Sequence, residues 1–115
     1  MSRDEAYLLD MLIAAKRADE AVREGTFENF AEDWKLHSAV LHQLMVLGEA
    51  VKRLSPQFRE DHPQFPWKAI AGHRDILIHH YNEIDLHQVW RIAKNEQPGL
   101  IEFLESVTPI KRETE

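Results

Sequence analysis

The sequence predicts an all-α fold: a small up-and-down bundle of about five helices that assembles as a homodimer. Three observations predict it. Apolar residues recur every three or four positions along nearly the whole chain. No stretch shows the apolar–polar alternation of a half-buried strand. Ser, Asp, Gly and Pro stand where such helices should begin and end. A length of 115 residues suits one domain. That domain is read as residues 1–110, with residues 111–115 as a frayed tail.

The first helix is expected from about Arg3 to Glu24. Leu8, Leu12, Ala15, Asp19 and Val22 fall near one face, with Met11 and Ala18 beside them. Ser2 with Glu5 reads as a capping box, and Gly25 as the stop. The second helix is read as one long element from Phe27 to about Leu54. Phe27, Phe30, Trp34, Leu41, Leu44, Gly48, Val51 and Leu54 form a seam for partner helices. Ser55 and Pro56 end it, because proline disfavours helix in the residue before it. Residues 55–66, with Pro56, Pro63 and Pro66, are expected to form a loop that Phe58 and Phe65 hold down against the core.

A third helix is expected from Trp67 to Tyr81. Asp85 with Gln88 reads as the cap of a fourth, from Leu86 to about Glu96. Pro98 suits the first turn of a fifth, which Pro109 closes. The second helix has more apolar seam than one thin bundle needs. A homodimer through helices two and three is therefore expected.

Composition narrows the function. Lysine and arginine number 14 against 20 aspartates and glutamates, a net charge of −6. Such a chain is a poor non-specific binder of nucleic acid, so any RNA contact must rest on a local patch. With no cysteine there is no disulfide, thiolate nucleophile or cysteine–zinc site. That suits a reducing cytoplasm. The run Tyr7 to Ala15 is broken by Asp10 and is too short for a bilayer. No basic segment precedes an apolar one as in a signal peptide. His-Glu-x-x-His is absent, and His37 and His42 do not share a helical face, so neither metal nor another cofactor is expected.

One segment is not ordinary bundle: Gly72-His73-Arg74-Asp75-Ile76-Leu77-Ile78-His79-His80-Tyr81. At about 100° per residue, Arg74 falls in the middle of an apolar face with Ile70, Leu77, Ile78 and Tyr81. An arginine there must snorkel, find a carboxylate, or line an interface. Glu49 is one possible partner, and Gly48 beside it would let two helices approach. The arrangement reads equally as a structural Arg–Glu bridge. Asp75 and His79 are four apart on the opposite face. An aspartate so placed can orient an imidazole for proton transfer, or the two form a plain surface pair. Gly72 on that face costs helix about 1 kcal/mol relative to alanine, and leaves room for another backbone or a ligand. His80 reads as a second basic group or an exposed neighbour. Tyr81 reads as a core phenol or a modification acceptor.

These residues resemble a family. Arg74, His79 and Tyr81 carry the R-x4-H-x-Y spacing of the HepT-like toxins of the HEPN superfamily. Pro66-Trp67, Ile70, Gly72, Arg74-Asp75, Leu77, His79 and Tyr81 are similar to its central signature. Leu47-Gly48-Glu49-Ala50 is similar to its upstream block, and Ile84-Asp85 with Val89-Trp90 to its downstream one. The resemblance implies a homodimeric, metal-independent endoribonuclease toxin with its site at the dimer interface. It implies Arg74 and His79 as the catalytic pair, with Asp75 matching the polar residue after the motif arginine; from their positions Glu49, Gly72 and His80 are candidates for supporting roles. It also implies a minimal nucleotidyltransferase antitoxin that transfers AMP to Tyr81 and silences the toxin. The alternative is a non-catalytic helical dimer that binds a nucleotide or a partner. On a regular helix positions 74 and 79 lie about 140° apart, so either two protomers combine residues across a two-fold axis or the helix is distorted near its end.

Overall fold

The computed structural model describes residues 3–79 and 84–108, and the side chains of residues 3–75 and 84–108. It is all-helical, with no strand among the described residues. Helix α1 spans Arg3–Val22 and buries Leu8, Met11, Leu12, Ala15, Ala18 and Val22, the face that the spacing predicts. Asp19, expected on that face, turns to Arg23 at 2.7 Å. The helix ends two residues before the expected Glu24. Arg23 N–H donates to the Glu20 carbonyl and Gly25 N–H to that of Val22, tightening the last turn. Gly25 follows without adopting a positive φ. The predicted cap at Ser2 lies outside the described residues.

The long second helix is two elements. Helix α2 spans Phe27–Glu32, capped by Thr26, whose side chain accepts from Asn29 N–H at 3.2 Å. Helix α3 spans Trp34–Arg53. Asp33 between them is extended (φ −101°, ψ 94°), and its carboxylate accepts from the N–H groups of Lys35 and Leu36, both at 3.1 Å. An aspartate that satisfies two orphan donors of a new helix gains more there than inside a helix. The break ends the continuity of the expected seam. Phe30 is fully buried, whereas Trp34, at the start of α3, is 66% exposed.

The expected loop holds a further helix, α4, over Pro56–Asp61. Ser55 caps it by accepting from Phe58 N–H at 3.1 Å, and Pro56 fills its first turn. Ser55 is itself tied to Asp4 through N–H and hydroxyl, at 2.9 and 2.7 Å. Phe58 and Phe65 do pack down, beside Trp67 and Phe103. Trp67 indole N–H donates to the His62 carbonyl at 2.8 Å.

Helix α5 is described over Trp67–His79, and the rest of its predicted span to Tyr81 lies outside the described residues. Helix α6 spans Leu86–Arg91, with Asp85 accepting from His87 N–H at 3.0 Å. A π-turn over Ile92–Glu96 then runs directly into α7, Gln97–Val107, so no loop separates the fourth and fifth predicted helices. Pro98 has no N–H for the helical ladder, and the widened turn absorbs its ring. The Gln97 side chain donates to the Ile92 carbonyl at 3.3 Å, within that turn. The frayed tail expected at residues 111–115 lies outside the described residues.

Helix α3 is the hub. It packs on α1 along one side and on α5 along another, while α7 closes over α1 and α2 meets α6. The core runs through Met11, Leu12, Phe30, Val40, Val51 and Leu104, each no more than 2% exposed. Burying such side chains contributes about 1.5–3 kcal/mol each, which fixes α3 and hence the platform for α5.

Candidate active site

The site starts from a missing side chain. At Gly48 a Cβ would lie 2.5 Å from Arg74 Cβ, 3.1 Å from the Ile70 carbonyl oxygen and 3.3 Å from Arg74 N. Glycine therefore lets α5 lie against α3 at the height of Arg74. The next residue on α3 supplies the counter-charge. Arg74 Nε meets Glu49 Oε1 at 3.0 Å, and Arg74 Nη1 donates to Asp75 Oδ1 at 3.2 Å. The Arg74 side chain is 27% exposed, so it is neither sunk in the core nor free in solvent.

The network extends on both sides. Arg53 Nε donates to Glu49 Oε2 at 2.8 Å, and Lys52 Nζ donates to Asp75 Oδ1 at 3.1 Å. Glu49, Lys52 and Arg53 are spaced i, i+3, i+4 on one face of α3. They meet the consecutive pair Arg74-Asp75 of α5. The hydrogen bond from Lys52, then that from Arg74, holds the Asp75 carboxyl below its ordinary range. The hydrogen bond from Arg53 comes first in lowering Glu49, with the charges of Arg74, Arg53 and Lys52 adding to it. Both carboxylates therefore stay ionised and keep the guanidinium in place.

Beside this network lies an open cleft between α1 and α3 of about 350 Å³. Its polar walls are Tyr7, Asp10, His42, Glu49, Arg53 and Arg74. On another side of α5, His73 is half-buried, and burial pushes its imidazole toward the neutral form, partly opposed by Glu96.

The structure brings together three of the residues singled out in the sequence: Glu49, Arg74 and Asp75. Gly72 touches none of them. A Cβ there would meet open space, so no contact within the chain requires the glycine. The side chain of His79, together with His80 and Tyr81, lies outside the described residues, as does the expected Asp75–His79 contact. Sequence reasoning missed Lys52 and Arg53 in the network, and Tyr7, Asp10 and His42 around the cleft. The signal for the first two was available in the i, i+3, i+4 spacing from Glu49. Among the described residues no three His, Asp or Glu side chains converge as metal ligands. No helix among them is long and apolar enough to cross a membrane.

Fold and site define a small helical domain whose central feature is an arginine on α5 clamped by carboxylates at a glycine-permitted helix contact. The chain belongs to the HepT-like family, described as "Ribonuclease HepT-like", which matches residues 11–107. It is 40% identical over 102 residues to a candidate RNase of Methanocaldococcus jannaschii, covering 89% of this chain and 84% of that one. A candidate ribonuclease HepT of Thermococcus cleftensis is 38% identical over 94 residues, 82% of this chain and 86% of the relative. A candidate RNase of Caldanaerobacter subterraneus is 39% identical over 100 residues, 87% and 89% of the two chains. No solved structure matches the chain significantly.

Proposed function

We propose that the protein is the toxin of a toxin–antitoxin pair: a homodimeric, metal-independent endoribonuclease of the cytoplasm. One observation carries the reading. Arg74, in a family of ribonucleases, stands at the edge of an open cleft with its guanidinium held by Glu49. Relatives across most of this chain's length are named as RNases, which supports RNA as the substrate.

The chemistry needs no metal, because RNA carries its own nucleophile. The 2′-oxygen attacks the adjacent phosphorus, and the bond from phosphorus to the 5′-oxygen breaks. The 2′-hydroxyl gives up a proton to a base, and the leaving 5′-oxygen takes one up. The products are a 2′,3′-cyclic phosphate and a 5′-hydroxyl. His79 is assigned the proton transfers. Arg74 is assigned the charge that grows on the non-bridging oxygens, through two parallel hydrogen bonds. Asp75 and Glu49 position Arg74. Gly72 leaves the surface of α5 open to a second protomer through α3 and α5, and His80 adds a basic group nearby. On a regular helix positions 74 and 79 lie about 140° apart, a spacing that two protomers related by a two-fold axis would reconcile in one working pair.

Regulation falls on Tyr81, two residues after His79. A minimal nucleotidyltransferase antitoxin would transfer AMP to its hydroxyl, placing a phosphate diester and an adenine where RNA must bind. The test is co-expression with such an enzyme encoded beside the gene. The intact mass should rise by about 329 Da per AMP. The first group should map to Tyr81 and vanish in Tyr81→Phe. An adduct that survives in Tyr81→Phe refutes the assignment. So does the lack of any adduct with an active partner and ATP present.

A structural bridge without catalysis is favoured by one observation, that Arg74 contacts two carboxylates at once. RNA cleavage by the purified dimer separates the two readings.

A further inference from the structure

We propose that Arg53 is a second phosphate-binding residue of this site. With Arg74 it forms a two-arginine clamp that Glu49 sets, and its ligand is a phosphodiester of the RNA strand next to the one cleaved. The identity of that ligand rests on the ribonuclease reading above; the binding of phosphate does not.

Glu49 takes Arg74 through Oε1 at 3.0 Å and Arg53 through Oε2 at 2.8 Å. Both contacts use the Nε atom of the arginine. Of the Nη groups, Arg74 Nη1 already donates to Asp75 at 3.2 Å and Arg53 also faces the Tyr7 hydroxyl, which leaves Arg74 Nη2 and the remaining Nη–H donors of Arg53 for a phosphate. A single carboxylate between two guanidiniums leaves a net positive charge. It also fixes their spacing before any ligand arrives, so little ordering remains to be done on binding.

Both arginines line the same open cleft. At about 350 Å³ it is large enough for a phosphate with its ribose. The local balance is favourable in an otherwise acidic chain. Lys52, Arg53 and Arg74 face Glu49 and Asp75 in one connected network, three cations to two anions. The Glu49 carboxylate, and after it the Tyr7 hydroxyl, strengthens the protonated form of Arg53. Asp10 on the α1 wall would repel a phosphate placed deeper toward that side, which confines the ligand to the arginine edge.

The plain alternative is an exposed i, i+4 pair. Glu49 and Arg53 have the favourable order for one, worth about 0.3–0.5 kcal/mol and nothing to RNA. It leaves unexplained why the same carboxylate also holds Arg74 across the helix contact.

The experiment compares wild type with Arg53→Ala, Arg53→Lys and Arg53→Gln, each first checked for its helical spectrum. Inorganic phosphate is titrated while the arginine Nε–H resonances are followed by NMR. A 2′-O-methyl RNA oligonucleotide, which lacks the nucleophile, is used for binding across a salt series. An all-ribose RNA gives KM and kcat.

Phosphate should shift the Nε–H signals of Arg53 and Arg74 together. Arg53→Ala should weaken binding of the 2′-O-methyl RNA about tenfold and lower the salt slope by about one. KM should rise in proportion while kcat stays within about threefold, as for a group that binds ground state and transition state alike. Arg53→Lys should recover part of the affinity, and Arg53→Gln little. Unchanged affinity, salt slope and phosphate response in Arg53→Ala would overturn the proposal, whatever happens to the melting temperature. If wild type takes phosphate at both arginines but cleaves no RNA, the clamp stands and the nuclease reading falls. If wild type cleaves RNA and Arg53→Ala does so with unaltered KM, the clamp falls and the nuclease reading stands.

Discussion

Gly48→Ala tests whether the contact between α3 and α5 sets the site. Two effects oppose each other. Alanine is favoured over glycine inside a helix by about 1 kcal/mol. Against that, the added methyl would sit 2.5 Å from Arg74 Cβ and 3.1 Å from the Ile70 carbonyl oxygen. These are a Cβ and a backbone atom rather than the tip of a flexible side chain, so α5 itself must move. Overpacking of this kind costs about 1–3 kcal/mol. A 2.5 Å contact with Arg74 Cβ puts the strain in the upper part of that range, about 2–3 kcal/mol, for a net loss of about 1–2 kcal/mol. In a domain of this size that lowers Tm by roughly 3–10 °C. The functional loss should be larger. Pushing α5 outward by up to about 1 Å misplaces Arg74 against Glu49, and displacements of that order cost about 100-fold in rate. The assay is a thermal melt followed by RNA cleavage on the same preparation, below the lowered Tm. A Gly48→Ala protein that melts at or above the wild-type temperature and cleaves at full rate would refute the reasoning.

Within the chain the methyl of Gly72→Ala meets open space and gains helix propensity, but on the proposed dimer face it should weaken association of the two protomers; a Tm raised by about 3–5 °C with dimer affinity unchanged would contradict that face. Asp33→Ala should lower stability by about 1 kcal/mol through loss of the α3 cap, read as a lower denaturant midpoint at unchanged slope. Acid should loosen the site. Asp75 and Glu49 titrate below their ordinary values of 3.8 and 4.5 in the folded chain, so the stability they contribute is complete above that range and is lost as pH falls through the lowered values. Below about pH 4 the wild-type Tm should drop more steeply than that of Asp75→Asn, and parallel curves would count against the network.

The helical class was legible because the longer helices bury a face at helical spacing, as α1 does with Leu8, Met11, Leu12, Ala15 and Val22, and α3 with Val40, Leu44, Leu47 and Val51. Boundaries were harder where one residue serves two ends. Asp33 interrupts an apolar run that reads as continuous from Phe27 to Leu54, and only its two backbone contacts show that it caps a new helix. Ser55-Pro56 looked like a stop because proline ends the helix before it. The same pair also starts α4, through a serine cap and a proline in the first turn. Pro98 reads as the first turn of a separate fifth helix and does stand in the first turn of α7, but the π-turn joins that helix to α6 without a loop.

At the site, the Glu49–Arg74 pair was legible. An arginine on an apolar face needs a carboxylate, and glycine next to glutamate marks where helices come close. Lys52 and Arg53 are easily passed over despite their i, i+3, i+4 spacing from Glu49, because basic residues in the last turn of a helix ordinarily serve its dipole. Which cation Asp75 would choose could not be read from α5 alone. The sequence offers His79 four residues on, while the fold brings Lys52 from the neighbouring helix to 3.1 Å.

The central claim is that the arginine held by Glu49 and the histidine five residues after it cleave RNA without a metal. The most direct measurement is cleavage of RNA by purified wild type, Arg74→Ala and His79→Ala in the presence of a chelator, with the fold of each checked by its helical spectrum. Wild type should keep full activity in chelator, and each folded variant should lose at least about 100-fold in rate. Cleavage at the wild-type rate by both variants would contradict it.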